Sequence, residues 1–158
     1  MLPLVAAMAL ALTVPQTAAA DTAAADKKAV VEALTAYHAA MGSGDAASVV
    51  AQVGPTLLMA EEQTTGTDRL KAHLFLTGER LANWPANYLK QVGPHESRSA
   101  VVSVNVRGDA ATVLSRDTGR NAFRSWKDEE TAWFLARSDG RWRVVGMIIR
   151  DFQVPAAQ

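Results

Sequence analysis

The stretch Thr131-Ala132-Trp133-Phe134-Leu135-Ala136-Arg137-Ser138-Asp139-Gly140-Arg141-Trp142-Arg143-Val144-Val145, running on to Phe152, decides the fold. Both flanks of Arg137-Ser138-Asp139-Gly140 are rich in β-branched and aromatic residues, and an Asp-Gly pair suits a tight turn that needs positive φ. The reading is a long antiparallel hairpin that closes a curved sheet. Upstream, the period is again two. Ala100, Val102, Val104 and Val106 share one face, and Val101, Ser103, Asn105 and Arg107 share the other. Gly108-Asp109 makes the turn, and Ala110 to Arg116 returns with Val113 and Leu114 on opposite faces. A loop is expected around Asp117 to Asn121, after which Ala122 to Trp126 continues the bent strand or begins the next one.

Further toward the N-terminus the period lengthens. Val30, Val31, Leu34, Tyr37, His38 and Met41 recur at helical steps, which predicts a helix from Lys27 with one apolar stripe. Gly42-Ser43-Gly44 ends it, and Asp45 is placed to cap a short second helix that stops at Gly54-Pro55. Thr56 to Ala60 reads as a strand running out to Glu61-Glu62-Gln63. A third helix is expected from about Arg69 to Asn83, ended by Trp84-Pro85 because the residue before proline is pushed out of the α region. Tyr88 to Gly93 is then a short strand or an irregular link. About three N-terminal helices must bury their stripes, and the sheet must cover its apolar face. The economical solution is an α+β cone: a strongly curved antiparallel sheet with the helices packed over its concave face. Its interior is filled by side chains or left as a pocket.

Residues 1–20 are almost wholly apolar or small, with Leu4 to Val14 as the apolar core and small residues at Ala18 and Ala20. This pattern predicts a signal peptide over 1–20, a flexible leader over 21–26, the folded domain over 27–153 and a tail over 154–158. The expected location is periplasmic or secreted, with no membrane span in the mature protein. The chain has no cysteine, which removes disulfides, thiol nucleophiles and thiolate metal sites. Sixteen basic and sixteen acidic residues balance, and no Lys/Arg block is long enough to track a phosphate backbone, so nucleic acid is not an expected partner. The segment Arg116 to Lys127 holds four basic residues and one Asp, which reads as a solvated face. Neither a Gly-rich phosphate loop nor a Gly-x-Ser-x-Gly elbow is present.

The helix ending in Gly42-Ser43-Gly44-Asp45, the short second helix, the strand near Thr56 and the closing Asp139-Gly140-Arg141-Trp142 turn together resemble the nuclear transport factor 2-like superfamily, within it the SnoaL-like and calcium/calmodulin kinase association-like groups. The resemblance covers nearly all of 27–152 and implies the cone fold. It is silent about activity, because that superfamily holds isomerases, cyclases, dehydratases, hydrolases and members with no catalytic role. Members with polar cavities often carry His and Ser two and four residues after the position matched by Gly146, where this chain has Ile148 and Arg150. The Asp base and the Tyr or Asp oxyanion donor of isomerase-type members have no match here; the acids after the first strand are Glu61 and Glu62.

Candidate catalytic residues are His38, Tyr37 and Asp151. His38 and Tyr37 lie where the first helix would cover the cone's mouth, and an imidazole there could serve as a base near neutral pH. Arg150-Asp151 ends the closing strand, whose alternation of Trp142, Val144, Gly146, Ile148 and Arg150 against Arg143, Val145, Met147, Ile149 and Asp151 puts the pair at the cavity rim. Arg150 could clamp an anion there, or form a rim salt bridge. Candidate ligand-binding residues are Trp84, Trp126, Arg150 and His73, while Trp133 and Trp142 are assigned to the core. His95, after Gly93-Pro94, is expected to face solvent. The three histidines lack metal-ligand spacing, and consecutive acids chelate poorly, so no metal and no cofactor is expected. With few convergent ionisable groups in view, the leading function is binding of a small, mostly apolar ligand in the cone pocket without catalysis. The alternatives are a SnoaL-like enzyme doing acid–base chemistry in the pocket, and a structural homodimer whose cavity is filled by Phe75, Met59 and Leu57.

Overall fold

Asp139 and Gly140 adopt φ of 51° and 72°, the conformation the Asp-Gly turn requires, and they join two long strands in antiparallel register. The computed structural model describes residues 16–62 and 70–150, with side chains described over 21–61 and 74–150. In chain order the elements are α1 (Gln16–Ser43), α2 (Ala46–Gln52), β1 (Val53–Glu62), β2 (Leu70–Thr77), α3 (Gly78–Val92), β3 (Glu96–Arg107), β4 (Ala110–Arg120), β5 (Ser125–Ser138) and β6 (Arg141–Arg150). The strands form one mixed sheet in the order β2-β1-β6-β5-β4-β3. Every join is antiparallel except β1 against β6, where an antiparallel sheet was expected. Val102, Val113, Phe134 and Val145 stand on four neighbouring strands of this layer.

The fold is α+β, as expected, with three helices packed on the sheet. The apolar stripe of α1 supplies Val30, Leu34, Tyr37 and Met41, which meet Val113, Trp133, Leu135 and Val144 from the sheet in one core. Asp45 caps α2 by accepting from the backbone N–H of Ala47 and Ser48 at 3.1 and 3.2 Å. Helix α1 begins at Gln16, so residues 21–26, read as a leader, are helical. Asp26 in that segment pairs with Arg137 of β5, and the Arg137 guanidinium lies 4.7 Å from the centroid of the Trp142 ring. No described helix is long and apolar enough to cross a membrane.

Three local expectations fail for physical reasons. The helix expected over 69–83 is replaced by β2, which pairs with β1, and the helix starts only at Gly78. Leu70, Leu74 and the intervening Ala72 fit both periods, and the unpaired edge of β1 decides for the strand. Pro85 does not stop α3, which runs on to Val92. Leu81, Pro85 and Leu89 form its buried stripe, and this packing outweighs the hydrogen bond that proline removes. The loop expected at Asp117 to Asn121 is mostly strand, since β4 continues to Arg120.

The inner face of the sheet changes character along its strands. Inward residues of β4 run Ala111, Val113, Ser115, Asp117, and opposite them β5 presents Leu135, Trp133, Thr131, Glu129. One end is therefore apolar and closed by helices. The other end is polar, and there the cone stays hollow.

Candidate functional site

The hollow is a cavity of about 160 Å³ at the polar end of the cone. That is close to the size of the apolar cavity of about 150 Å³ known to admit benzene. Helix α1 lays Tyr37, His38 and Met41 over one side, and α3 contributes Trp84 and Tyr88. The strands supply Met59, Glu61, Ser97, Asp117, Trp126, Glu129, Trp133 and Met147. Because α3 continues through Pro85, Trp84 and Tyr88 fall four residues apart and stack at 5.2 Å between ring centroids. Aromatic rings thus form much of the wall.

One hydrogen-bonded chain runs from the core to the outer wall. Trp133 Nε1–H donates to Ser115 Oγ at 3.0 Å, and Ser115 donates to Asp117 Oδ1 at 2.7 Å. Ser99 Oγ–H donates to the same oxygen at 2.6 Å, which leaves Ser99 Oγ to accept from His38 Nε2–H at 2.7 Å. His38 Nδ1 then accepts from Ser97 Oγ–H at 2.9 Å. Burial holds the His38 pKa below its ordinary value against the pull of Asp117, so the ring is neutral with its proton on Nε2. Asp117 is 5% exposed, and among the described residues Oδ2 has no hydrogen-bond partner. A buried carboxylate with one oxygen held and the other unbonded lines an aromatic cavity.

A second cluster stands beside it. Asn121 Oδ1 accepts from the backbone N–H of Phe123 and Arg124 at 2.9 and 3.1 Å, which fixes its amide orientation. Its Nδ2 therefore donates to His95 Nε2 at 3.3 Å, and Tyr88 Oη lies 3.0 Å from the same nitrogen. The His95 proton must sit on Nδ1. Burial, then the charge of Arg124, lowers the His95 pKa from 6.5 to about 4. Burial raises the pKa of Tyr37 and of Tyr88. Arg124 donates to Glu129 at 2.6 and 3.3 Å, and its guanidinium lies 4.8 Å from the Trp126 ring centroid.

Of the residues singled out by sequence, the cavity gathers His38, Tyr37, Trp84 and Trp126. Arg150 is exposed and pairs with Glu130, away from the cavity, so it offers no anion clamp there. The cause is a bulge: Phe134 faces Gly146 while Leu135 faces Val144, so Val145 is an extra residue and the alternation expected along β6 inverts. Asp151 lies outside the described residues. His73 stands in β2 rather than in a helix, at the point where that strand carries one residue more than β1. Phe75 is 61% exposed and does not fill the cavity. His95, expected in solvent, is a wall residue, and Asp117, Arg124 and Glu129 were all missed. The alternation Val113, Ser115, Asp117 could have found the most important of them. Among the described residues no group of three His, Asp or Glu side chains could hold a metal ion.

No protein-family model matches the chain, and no curated protein matches it. Solved structures do. An NTF-2 like protein of unknown function from Shewanella oneidensis MR-1 is 16% identical with a TM-score of 0.57, over 78% of this chain and 98% of that one. A ketosteroid isomerase-like protein from Erwinia carotovora atroseptica SCRI1043 is 16% identical with a TM-score of 0.56, over 82% and 98%. A function-unknown protein from Mycobacterium tuberculosis is 14% identical with a TM-score of 0.62, over 87% and 78%. The chain has the NTF2-like fold, with the pocket at its polar end. Such distant likeness establishes architecture and leaves the chemistry to the side chains.

Proposed function

We propose that this protein binds a small, ring-sized, mostly apolar molecule in the cone cavity. The observation that carries the reading is an aromatic-walled space of about 160 Å³ with polar groups that hold one another in place. Aromatic walls combined with oriented polar atoms are a common feature of ligand pockets. Three of the four tryptophans line the cavity, so intrinsic fluorescence reports occupancy. Titration with benzyl alcohol and phenol should give a saturable change that Trp84→Ala weakens. A linear, unsaturable response to both compounds sinks the proposal.

Acid–base catalysis is the second reading, and one observation favours it: the unbonded Oδ2 of Asp117, with neutral His38 behind Ser99. Oδ2 is placed to take a proton from a bound substrate, and the kinship in fold to a ketosteroid isomerase-like protein fits that role. Cyclic ketones incubated in D₂O would exchange their α-protons faster with the wild-type protein than with Asp117→Asn. Equal rates end this reading and leave the binding proposal intact. Export is part of the proposal too, supported by the apolar run Leu4 to Val14 and by Ala18 and Ala20. The mass of the protein recovered from the cell envelope or medium tests it, and an intact Met1 there counts against it.

A further inference from the structure

Among the described residues, one carboxylate of the cavity stands without an opposite charge. Asp117 and Glu129 both line it, beside the guanidinium of Arg124. Arg124 is engaged by Glu129, so that pair offsets itself. Asp117 has no such partner among the described residues. Its hydrogen bonds come from two serine hydroxyls, both on Oδ1, and His38 behind Ser99 is neutral. Buried charges in proteins are normally paired with an opposite charge. Here the side chain is 5% exposed, it lines a ligand-sized space, and Oδ2 has no described partner. Tyr37, Trp126 and Trp133 line the same cavity as Asp117, and aromatic ring faces attract cations.

We infer that the occupant of this cavity is a cation: a small amine whose ammonium group donates to Asp117 Oδ2 while its ring-sized apolar part lies among the aromatic walls. The inference rests on the proposal that the cavity binds a small molecule. It adds the sign of the ligand's charge and the residue that reads it. An anion is disfavoured by the same pairing, because the guanidinium of Arg124 is already held by Glu129. A neutral ligand of equal shape would leave Asp117 without a counter-charge. The ammonium supplies three donors and no acceptor, which complements an acceptor-only oxygen. A charge-assisted bond in such a site is about twice as strong as a neutral one.

The test is a charge series at constant shape on the full chain: benzylamine, benzyl alcohol and benzoate, titrated at pH 7 by calorimetry or by tryptophan fluorescence. Benzylamine should bind about 10-fold or more tightly than benzyl alcohol, and benzoate should be the weakest of the three. Asp117→Asn should bring benzylamine down to the affinity of the alcohol. Equal binding of amine and alcohol to the wild-type protein overturns the inference and leaves the binding proposal standing. Failure of all three compounds to bind removes both. The wild-type series decides the matter even if Asp117→Asn does not fold, and a folded Asp117→Asn protein that keeps the amine preference overturns the assignment to Asp117.

Discussion

Acid should weaken this fold through His95, and the structure sets the sign and the size. In the folded protein His95 Nε2 accepts from Asn121 Nδ2, whose orientation two backbone N–H groups enforce. Protonating Nε2 would break that bond and charge a half-buried ring near Arg124. The folded pKa is accordingly lowered from 6.5 to about 4. An unfolded histidine takes its proton as the pH falls through 6.5, while the folded ring resists until about 4. The unfolded state therefore binds more protons in between. The full stability present above pH 6.5 is lost progressively toward pH 4. The two values imply a loss of about 2 kcal/mol by pH 5, and solvent reaching the part-exposed ring reduces it to about 1 kcal/mol. With a urea slope of about 1–2 kcal/mol per molar, that is a midpoint shift of about 0.5–1 M. Urea unfolding at pH 7 and pH 5 should be compared between the wild type and His95→Gln. Glutamine can still accept from Asn121 and does not titrate, and His38 is present in both proteins. The wild type should lose more stability than the variant. Equal losses in both proteins refute the account of His95.

Arg124→Met should destabilise the protein by about 3 kcal/mol, because it strands a buried carboxylate at Glu129, which is 8% exposed. The double variant Arg124→Met, Glu129→Gln should recover part of that loss in chemical denaturation, and strict additivity would show that the two side chains are uncoupled. Gly119→Ala would place a Cβ 2.6 Å from Glu96 O, 2.6 Å from Trp126 Cζ2 and 2.8 Å from Ser97 Cβ. The carbonyl cannot yield without moving β3, so the expected cost is about 2 kcal/mol or more, with a shifted tryptophan emission. A variant as stable as the wild type would mean the strands separate there more easily than their pairing suggests.

The architecture was readable where one physical signal dominated. The Asp139-Gly140 turn, the period-two runs on either side of it and the α1 stripe each had a single interpretation, and together they defined the cone. Where two signals competed, the reading failed. Leu70, Ala72 and Leu74 satisfied both a helix and a strand, and the choice depended on β1 having an unpaired edge, a fact about tertiary structure. At Pro85 the local rule was sound but smaller than the burial of Leu81, Pro85 and Leu89 together. Each failure moved a wall of the cavity, since α3 and the end of β4 are where Trp84, Tyr88 and Asp117 stand.

The site itself was hidden by single-residue insertions. A strict alternation from Val104 back along β3 puts Val102 inward and Ser97 and Ser99 outward. The register instead pairs Val101 with Ser115 and Ser103 with Leu114, leaving Val102 as the extra residue, 66% exposed. That insertion turns Ser97 and Ser99 toward His38 and Asp117. In β5, Lys127 and Asp128 together face the one residue Thr118, with Asp128 at φ 55°, and this brings Trp126 to the inner face opposite Gly119. In β6 the extra Val145 brings Met147 and Ile149 inward and sends Arg150 out to Glu130. A shift of one residue exchanges the two faces of a strand. Three such shifts in one sheet therefore convert what would be outward-facing residues into the lining of a pocket. The polar gradient on β4 could have exposed the first of them: Val113, Ser115 and Asp117 face Val104, Val101 and Ser99 across the ladder, and only a bulge at Val102 carries the inner face of β3 from Val104 to Val101.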